Sequence, residues 1–452
     1  MREAFLHYLW RTRRFAREHL RLTDGTPLDI LQFGHHNLGD GPDFAAGRVR
    51  IGDTVWAGHI EMHLRASDWH HHRHQFDSAY DNVVLHVVWI DDEPVLNARG
   101  RPLPTLVLAP LVDPGIVERY AALATDEHAI PCQDHLGAVP ELVLGGWIER
   151  MTLERLERKT TELHDLLREM ESDWDGAFVR QLARCLGLPL NADAMDALLR
   201  VVPLALLRRY RADQTALEAL LLGAAGLLAG DYLDEYPRQL QREYAHLAHK
   251  HRLRGLTRDA WNFRGLRPAS FPTVRLVQLA ALVRAEPRLF DRCLVVEGPR
   301  AFESLLAHEP HPYWRTHYLP DRPGPDRAKV LGRSAAQTAV INAVVPFLFL
   351  YGRLHGRPAL ERRALALLEA LPPERNRLLR QWRAVGLVAE NAAESQALLT
   401  LRREYCEPRR CLECAIGHCL LKRPNTLRRP DRSDPTEEVR EVAALREPHV
   451  RA

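Results

Sequence analysis

Between Gly34 and Trp89 the chain concentrates side chains that bind cations and move protons. Nine of its 23 histidines fall between positions 35 and 86. Pro42-Asp43 is followed by Gly58-His59-Ile60-Glu61-Met62-His63, and then by Ser67-Asp68-Trp69-His70-His71-His72-Arg73-His74. Side chains alternate along a strand, so His59, Glu61 and His63 would share one face, opposite Ile60, Met62 and Leu64. The carboxylates of Asp43 and Glu61 are hard ligands suited to Mg²⁺ or Mn²⁺, ions that keep positions open for a phosphate oxygen and an attacking water. His63 stands where it could act on that water, as a neutral general base or electrostatically as an imidazolium. The chemistry this pattern fits is phosphodiester hydrolysis. The plainer reading makes Asp43 a turn cap and Glu61 a solvent-facing strand residue.

The histidine block admits two uses of its own. His72 and His74, with Asp77, suit a borderline ion such as Zn²⁺. Alternatively His72 and His74 belong to a solvated loop that contacts the phosphate of a substrate. His86, within the apolar run Val83 to Ile90, reads as a hydrogen-bonded core histidine.

A second concentration lies near the other end. Cys406-x4-Cys411-x2-Cys414-x4-Cys419 places four thiols in one short stretch, whereas Cys132, Cys185 and Cys293 are scattered. Four thiolates can close a tetrahedral Zn²⁺ site or hold a [4Fe-4S] cluster, and a compact run with one Cys-x2-Cys suits the cluster somewhat better. His418 is an alternative to Cys419 as the fourth ligand. Arg402, Arg403, Arg409, Arg410, Lys422 and Arg423 surround the thiols, and Arg409 and Arg410 in particular could hold a phosphate backbone.

Other chemistries find no support. There is no Walker A loop and no G-x-G-x-x-G, so no nucleotide cofactor is expected. His308-Glu309-Pro310-His311 has the wrong spacing for a zincin helix and Pro310 opposes a helix interior. Glu243-x-x-His246 has the spacing of a di-iron helix but lacks evident partners. The 62 basic and 59 acidic residues nearly balance, which excludes a chain that coats nucleic acid globally and leaves only local patches. Nearly all the positive charge is arginine. The four lysines are Lys159, Lys250, Lys329 and Lys422, so none is available to chemistry in the first 158 residues.

The elements that must position these groups follow from periodicity. At 452 residues the chain exceeds the ~100–200 residues of one domain, so more than one unit is expected. Phe5, Leu9, Phe15 and Leu20 have helical spacing, and MREAFLHYLWRTRRF reads as an amphipathic helix rather than a secretory leader. Apolar alternation then predicts strands around Val49–Ile51 and Ile60–Leu64, joined at Gly52-Asp53, with a buried strand at Val83 to Ile90 and a further short one within Leu103 to Leu111. From about Pro140 the period is helical throughout. Ala339 to Tyr351 is too short for a membrane span and contains Pro346. The expected architecture is α+β: a small mixed-sheet unit over 1–135, a helical domain over 136–400, a cysteine loop over 401–422, and a charged, proline-rich, disordered tail over 423–452. The expected address is the cytoplasm, where clustered cysteines bind metal more often than they pair.

Asp43 followed by Glu61-x-His63 on the next strand resembles the PD-(D/E)XK nuclease superfamily. That resemblance covers about residues 30–110 and implies a restriction-endonuclease-like sheet whose acids bind the divalent ion. The departure is at the lysine of the motif, where this chain has His63. Over a longer span, FLHYLW at 5–10, GPDF at 41–44, GHIEMHLRASDW at 58–69, YDNVVLHVVW at 80–89, RPASFPTVRL at 267–276, INAVVPFLFLYG at 341–352 and YCEPRRCLECAIGHCLL at 405–421 resemble a bacterial family called domain of unknown function 2851. That likeness implies an architecture and carries no activity. The leading expectation is therefore a metal-dependent nuclease acting on DNA or RNA. The alternative is a non-catalytic nucleic-acid-binding or scaffold protein with a structural Zn or Fe–S site.

Overall fold

The computed structural model describes residues 1–37 and 39–422, so Leu38, Arg423 and the tail expected at 423–452 lie outside the described residues. The chain divides into two units, one of Met1–Trp147 with the segment from Arg402 onward, the other of Ile148–Leu401. The cysteine segment thus returns to the N-terminal unit. The division falls twelve residues later than 135, inside the helix Glu141–Glu169.

In the first unit, helix α1 (Glu3–Thr12) precedes a six-stranded mixed sheet. Its strands are β1 (Leu28–Gln32), β2 (His35–His36), β3 (Phe44–Ile51), β4 (Thr54–Arg65), β5 (Val83–Ile90) and β6 (Thr105–Val107). β1, β3 and β4 run antiparallel in that order, β2 adds to β3, and β5 and β6 continue the sheet in parallel. β3 turns into β4 at Gly52-Asp53, where Ile51 pairs with Thr54 and Gly52 takes φ +56°. A parallel neighbour cannot be reached by so short a turn and needs a crossover. Residues 66–82 make it, with helix α2 (Asp68–His71) and two single turns, and this places the histidine block over the sheet. β5 is an almost unbroken apolar run because it is buried between two neighbours and by layers on both faces.

α1 is shorter than the apolar spacing predicts. It closes at Arg13, whose left-handed φ of 56° lets its own N–H reach the Trp10 carbonyl and the Arg14 N–H reach Leu9. The reversal returns Phe15 onto the Trp10 ring, 5.5 Å between centroids. Phe5 stacks on Tyr120 at 4.1 Å, and Tyr120 belongs to helix α3 (Pro114–Thr125).

The second unit is helical apart from the short hairpin of His317–Leu319 and Arg322–Pro323. Its core gathers apolar faces of Trp174–Leu186, Gln214–Ala224, Pro272–Ala285 and the stretch Arg333–Leu354. Arg333–Leu354 is, among the described residues, the one helix long and apolar enough to cross a membrane, and most of it is buried within this core. A π-turn at Val340–Val344 precedes Pro346, as expected where an interrupted hydrogen-bond ladder must be re-formed.

Candidate metal centre

β4 supplies the centre. Its apolar partners Ile60 and Met62 are fully buried, and Glu61 and His63, which the alternation puts on the opposite face, are also buried, at 5% and 1% exposure. They face the crossover rather than solvent. Glu61 is therefore not a solvent-facing strand residue, because residues 66–82 roof that face.

Asp43 meets Glu61 through the register. Phe44 pairs with Ile60, so Asp43 lies opposite Glu61 at the mouth of the β3–β4 ladder. The Asp43 N–H donates to Glu61 Oε2 at 3.0 Å, and the Met62 N–H donates to Asp43 Oδ2 at 2.9 Å. Two residues of α1 that the motif reading missed join them. Glu3, His7 and Asp43 hold ligand atoms within 4.8 Å of one another, and His7 Nε2 is 3.2 Å from Asp43 Oδ2. A signal existed, since positions 3 and 7 fall on one face of a helix.

The crossover brings the imidazoles. His63, His72 and His74 place ring nitrogens within 4.8 Å of one another. His63 Nε2 lies 3.2 Å from His72 Nδ1, and its Nδ1 lies 2.8 Å from His86 Nε2 on β5. Glu61 Oε1 is 3.6 Å from His63 Nε2 and 3.5 Å from His74 Nε2. Glu61 thus has Oε2 on the Asp43 side and Oε1 toward the histidines.

The expectation of a phosphate-contacting loop needs correction for His74. Arg73 takes a left-handed φ of 62°, which turns His74 inward to 9% exposure, stacked at 3.8 Å on Tyr80. His72 remains exposed. Asp77 caps the Ser78–Tyr80 turn by accepting the Ala79 N–H at 2.9 Å.

Burial dominates the electrostatics. Glu61 is pushed up to about 9 by desolvation and then by the neighbouring Asp43 charge, and Glu3 rises to about 7 for the same two reasons. His63, His74 and His86 are lowered to about 2, 4 and 3, first by desolvation and then by neighbouring imidazoles. Their rings are neutral at pH 7, the form that ligates a metal.

Elsewhere in this unit, where the His418 ring lies 5.1 Å from Tyr8 of α1, the thiols of Cys132, Cys406, Cys411 and Cys414 are near enough for their charges to act on one another. Burial raises Cys132 to about 12 and Cys411 to about 11, and pushes Cys406 and Cys414 up as well. The Cys414 sulfur accepts the Ile416 and Gly417 backbone N–H groups. Cys132 was invisible as a partner in sequence because it lies in the segment between α3 and Glu141–Glu169. Cys419 is half-buried on the helix Ala415–Lys422, and His418 Nε2 is hydrogen-bonded to the Leu412 carbonyl. Arg410 pairs with Glu413 and lies 4.9 Å above the Tyr405 ring, whereas Arg409 takes φ +59° and buries one guanidinium nitrogen.

The family model described as "Protein of unknown function (DUF2851)" matches residues 3–377. The chain belongs to the DUF2851 family. The matched span contains both units' main elements and the whole carboxylate–histidine centre, and it ends before the cysteine segment. No curated protein and no solved structure matches the chain.

Proposed function

We propose that this DUF2851 protein is a divalent-cation-dependent hydrolase of phosphodiester bonds in DNA or RNA, with Asp43 and Glu61 holding the ion. The observation that carries the reading is buried Glu61 accepting the Asp43 N–H beside the Glu3, His7 and Asp43 group, so that the carboxyl charges acting on Glu61 share its own sign. Carboxyls so crowded cannot all ionise without a counter-charge. Mg²⁺ or Mn²⁺ supplies that charge and leaves positions for a phosphate oxygen and water. The order of one helix, an antiparallel meander, a crossover and a parallel strand supports the likeness to the PD-(D/E)XK sheet.

His63 occupies the motif's lysine position. At 1% exposure, with one nitrogen against His86 and the other against His72, it works through its neighbours rather than on substrate. His72 is the imidazole at the mouth. In the hydrolytic step the water oxygen bonds to phosphorus as its proton passes to solvent, and the leaving sugar oxygen departs with the bonding electron pair and takes a proton from solvent. Cleavage of single- and double-stranded DNA and RNA in Mg²⁺ or Mn²⁺ tests the reading. Asp43→Ala and Glu61→Ala are expected to abolish it, and unchanged turnover in either variant would sink the assignment.

A structural metal at the cysteines rests on a separate observation, buried Cys132 lying near enough to buried Cys406 and Cys414 and half-buried Cys411 for their charges to act on one another. We propose Zn²⁺ or a [4Fe-4S] cluster there, with Cys132 in the place first expected for Cys419. The same site serves the alternative of a non-catalytic, nucleic-acid-binding scaffold. Iron and zinc analysis of anaerobically purified Cys132→Ser and Cys419→Ser proteins decides it. Loss of metal only in the Cys132 variant is expected, and loss only in the Cys419 variant restores the sequential set.

A further inference from the structure

We propose a second metal site in the N-terminal unit, a four-ligand site for a transition ion such as Zn²⁺, formed by His63 Nε2, His72 Nδ1, His74 Nε2 and Glu61 Oε1. It goes beyond the phosphodiesterase reading and does not depend on it.

The distances carry the inference. A tetrahedral ion with bonds of ~2.0–2.1 Å holds its ligand atoms about 3.3–3.4 Å apart. The three edges that link this set are 3.2 Å between His63 and His72, 3.6 Å between His63 and Glu61, and 3.5 Å between His74 and Glu61. One ring nitrogen of each of His63, His72 and His74 also lies within 4.8 Å of the other two, and Glu61 adjoins this trio through His63 and His74. Separations of 3.5–3.6 Å are long for hydrogen bonds but natural for atoms that share an ion.

Partner accounting points the same way. His74 Nε2 is buried without a hydrogen-bond partner, although its residue is 91% removed from solvent and the atom is aimed at Glu61. A buried polar atom left unmatched costs about 1–3 kcal/mol, so such atoms are normally paired. An ion would satisfy it together with Glu61 Oε1. The geometry behind the ligands is also ready. If His63 Nε2 offers its lone pair to the ion, Nδ1–H donates to His86 Nε2 at 2.8 Å, which fixes the tautomer and the ring plane.

The donor set selects the ion. Three imidazoles and one carboxylate suit Zn²⁺, whereas the Glu3, His7 and Asp43 group is richer in hard oxygen and suits Mg²⁺ or Mn²⁺. Glu61, with an oxygen toward each group, would link them. Asp43 lies outside the zinc set, which separates the two functions experimentally.

The test uses the full chain, stripped with chelator, reloaded with Zn²⁺ and analysed for bound metal beside His72→Ala, His74→Gln and Asp43→Asn. His72 is exposed, so its removal leaves the fold intact, and circular dichroism checks the others. Wild type is expected to hold one equivalent more zinc than His72→Ala or His74→Gln, and Asp43→Asn to keep it. Co²⁺ in that extra site should give tetrahedral visible bands without the charge-transfer bands of thiolate ligation, which excludes the cysteines as its source. His86→Ala should weaken zinc by ~10–100-fold. Equal zinc in wild type and folded His72→Ala and His74→Gln proteins overturns the site. Retained zinc without any hydrolysis leaves the site standing and removes only the phosphodiesterase reading.

Discussion

Two buried glutamates, Glu61 and Glu218, sit in the two units and have opposite surroundings. Glu218, on the helix Gln214–Ala224, is fully buried and collects donors. Tyr236 Oη and Trp314 Nε1 donate to Oε2 at 2.8 and 2.6 Å, and the His311 N–H and Gln214 Nε2 donate to Oε1 at 3.0 and 3.2 Å. Every lone pair is used, and the carboxylate pins three separate segments of the helical unit. Glu61 receives one backbone N–H, and its other neighbours are two carboxyls and two imidazole nitrogens beyond hydrogen-bond length. A buried acid surrounded by donors is architecture. One surrounded by other acids and by unprotonated imidazoles is a place for a cation.

Breaking the satisfied site should cost the most stability. Glu218→Ala deprives the buried Tyr236 and Trp314 donors of their acceptor and opens a cavity, so unfolding free energy should fall by roughly 3–5 kcal/mol. Chemical denaturation measures it, and a loss no larger than that of Glu61→Gln would erase the contrast. Glu61→Gln should leave stability near wild type or slightly raise it while abolishing the proposed hydrolysis, because the fold then no longer has to hold a proton on a buried carboxyl.

The pH dependence sharpens the same contrast. Burial pushes Glu218 above the ordinary carboxylate range and lifts Glu61 from 4.5 to about 9. In both cases the fold binds the proton more tightly than the unfolded chain does. The stabilisation is complete below the unfolded value and is lost as pH rises through the folded one. For the metal-free chain, stability should therefore decline between 4.5 and about 9, and Glu61→Gln should reduce that decline. Divalent cation should flatten the part due to Glu61 and leave the part due to Glu218. Denaturation with chelator and with added Zn²⁺, at about pH 5 and about pH 8, reads both. Curves insensitive to the ion would mean that Glu61 resembles Glu218 after all.

The comparison also explains what was legible in sequence. The alternation of His59 to Leu64, the Gly52-Asp53 turn and the apolar run of β5 are local signals, and they gave the strands and the pairing of β3 with β4. Whether Asp43 reaches Glu61 is not local. A ladder continued evenly from Gly47 opposite Gly58 would bring Asp43 opposite Met62, on the wrong face. One extra residue in β3, with Ala46 at φ +57°, shifts the register so that Phe44 meets Ile60. An alanine in that conformation leaves no mark in sequence, where glycine would. The inward turn of His74 hangs on Arg73 in the same way, and Cys132 meets its partners only through tertiary structure. The long helical stretches of the second unit needed none of this, because their apolar periods are repeated many times over.

The smallest effect separates Asp77 from Glu61 as the fourth partner of the histidines. Sequence proximity grouped Asp77 with His72 and His74, but its carboxylate accepts the Ala79 N–H and closes the turn that carries Tyr80, whose ring stacks on His74. Asp77→Ala removes a cap and should cost about 0.5–1 kcal/mol, with the zinc stoichiometry of the histidine site unchanged. Because the turn only supports the His74 ring, any change in zinc affinity should be far smaller than in His74→Gln. If Asp77→Ala loses the ion as completely as His74→Gln, the carboxylate ligand is Asp77. Glu61 then belongs wholly to the Asp43 side of the centre.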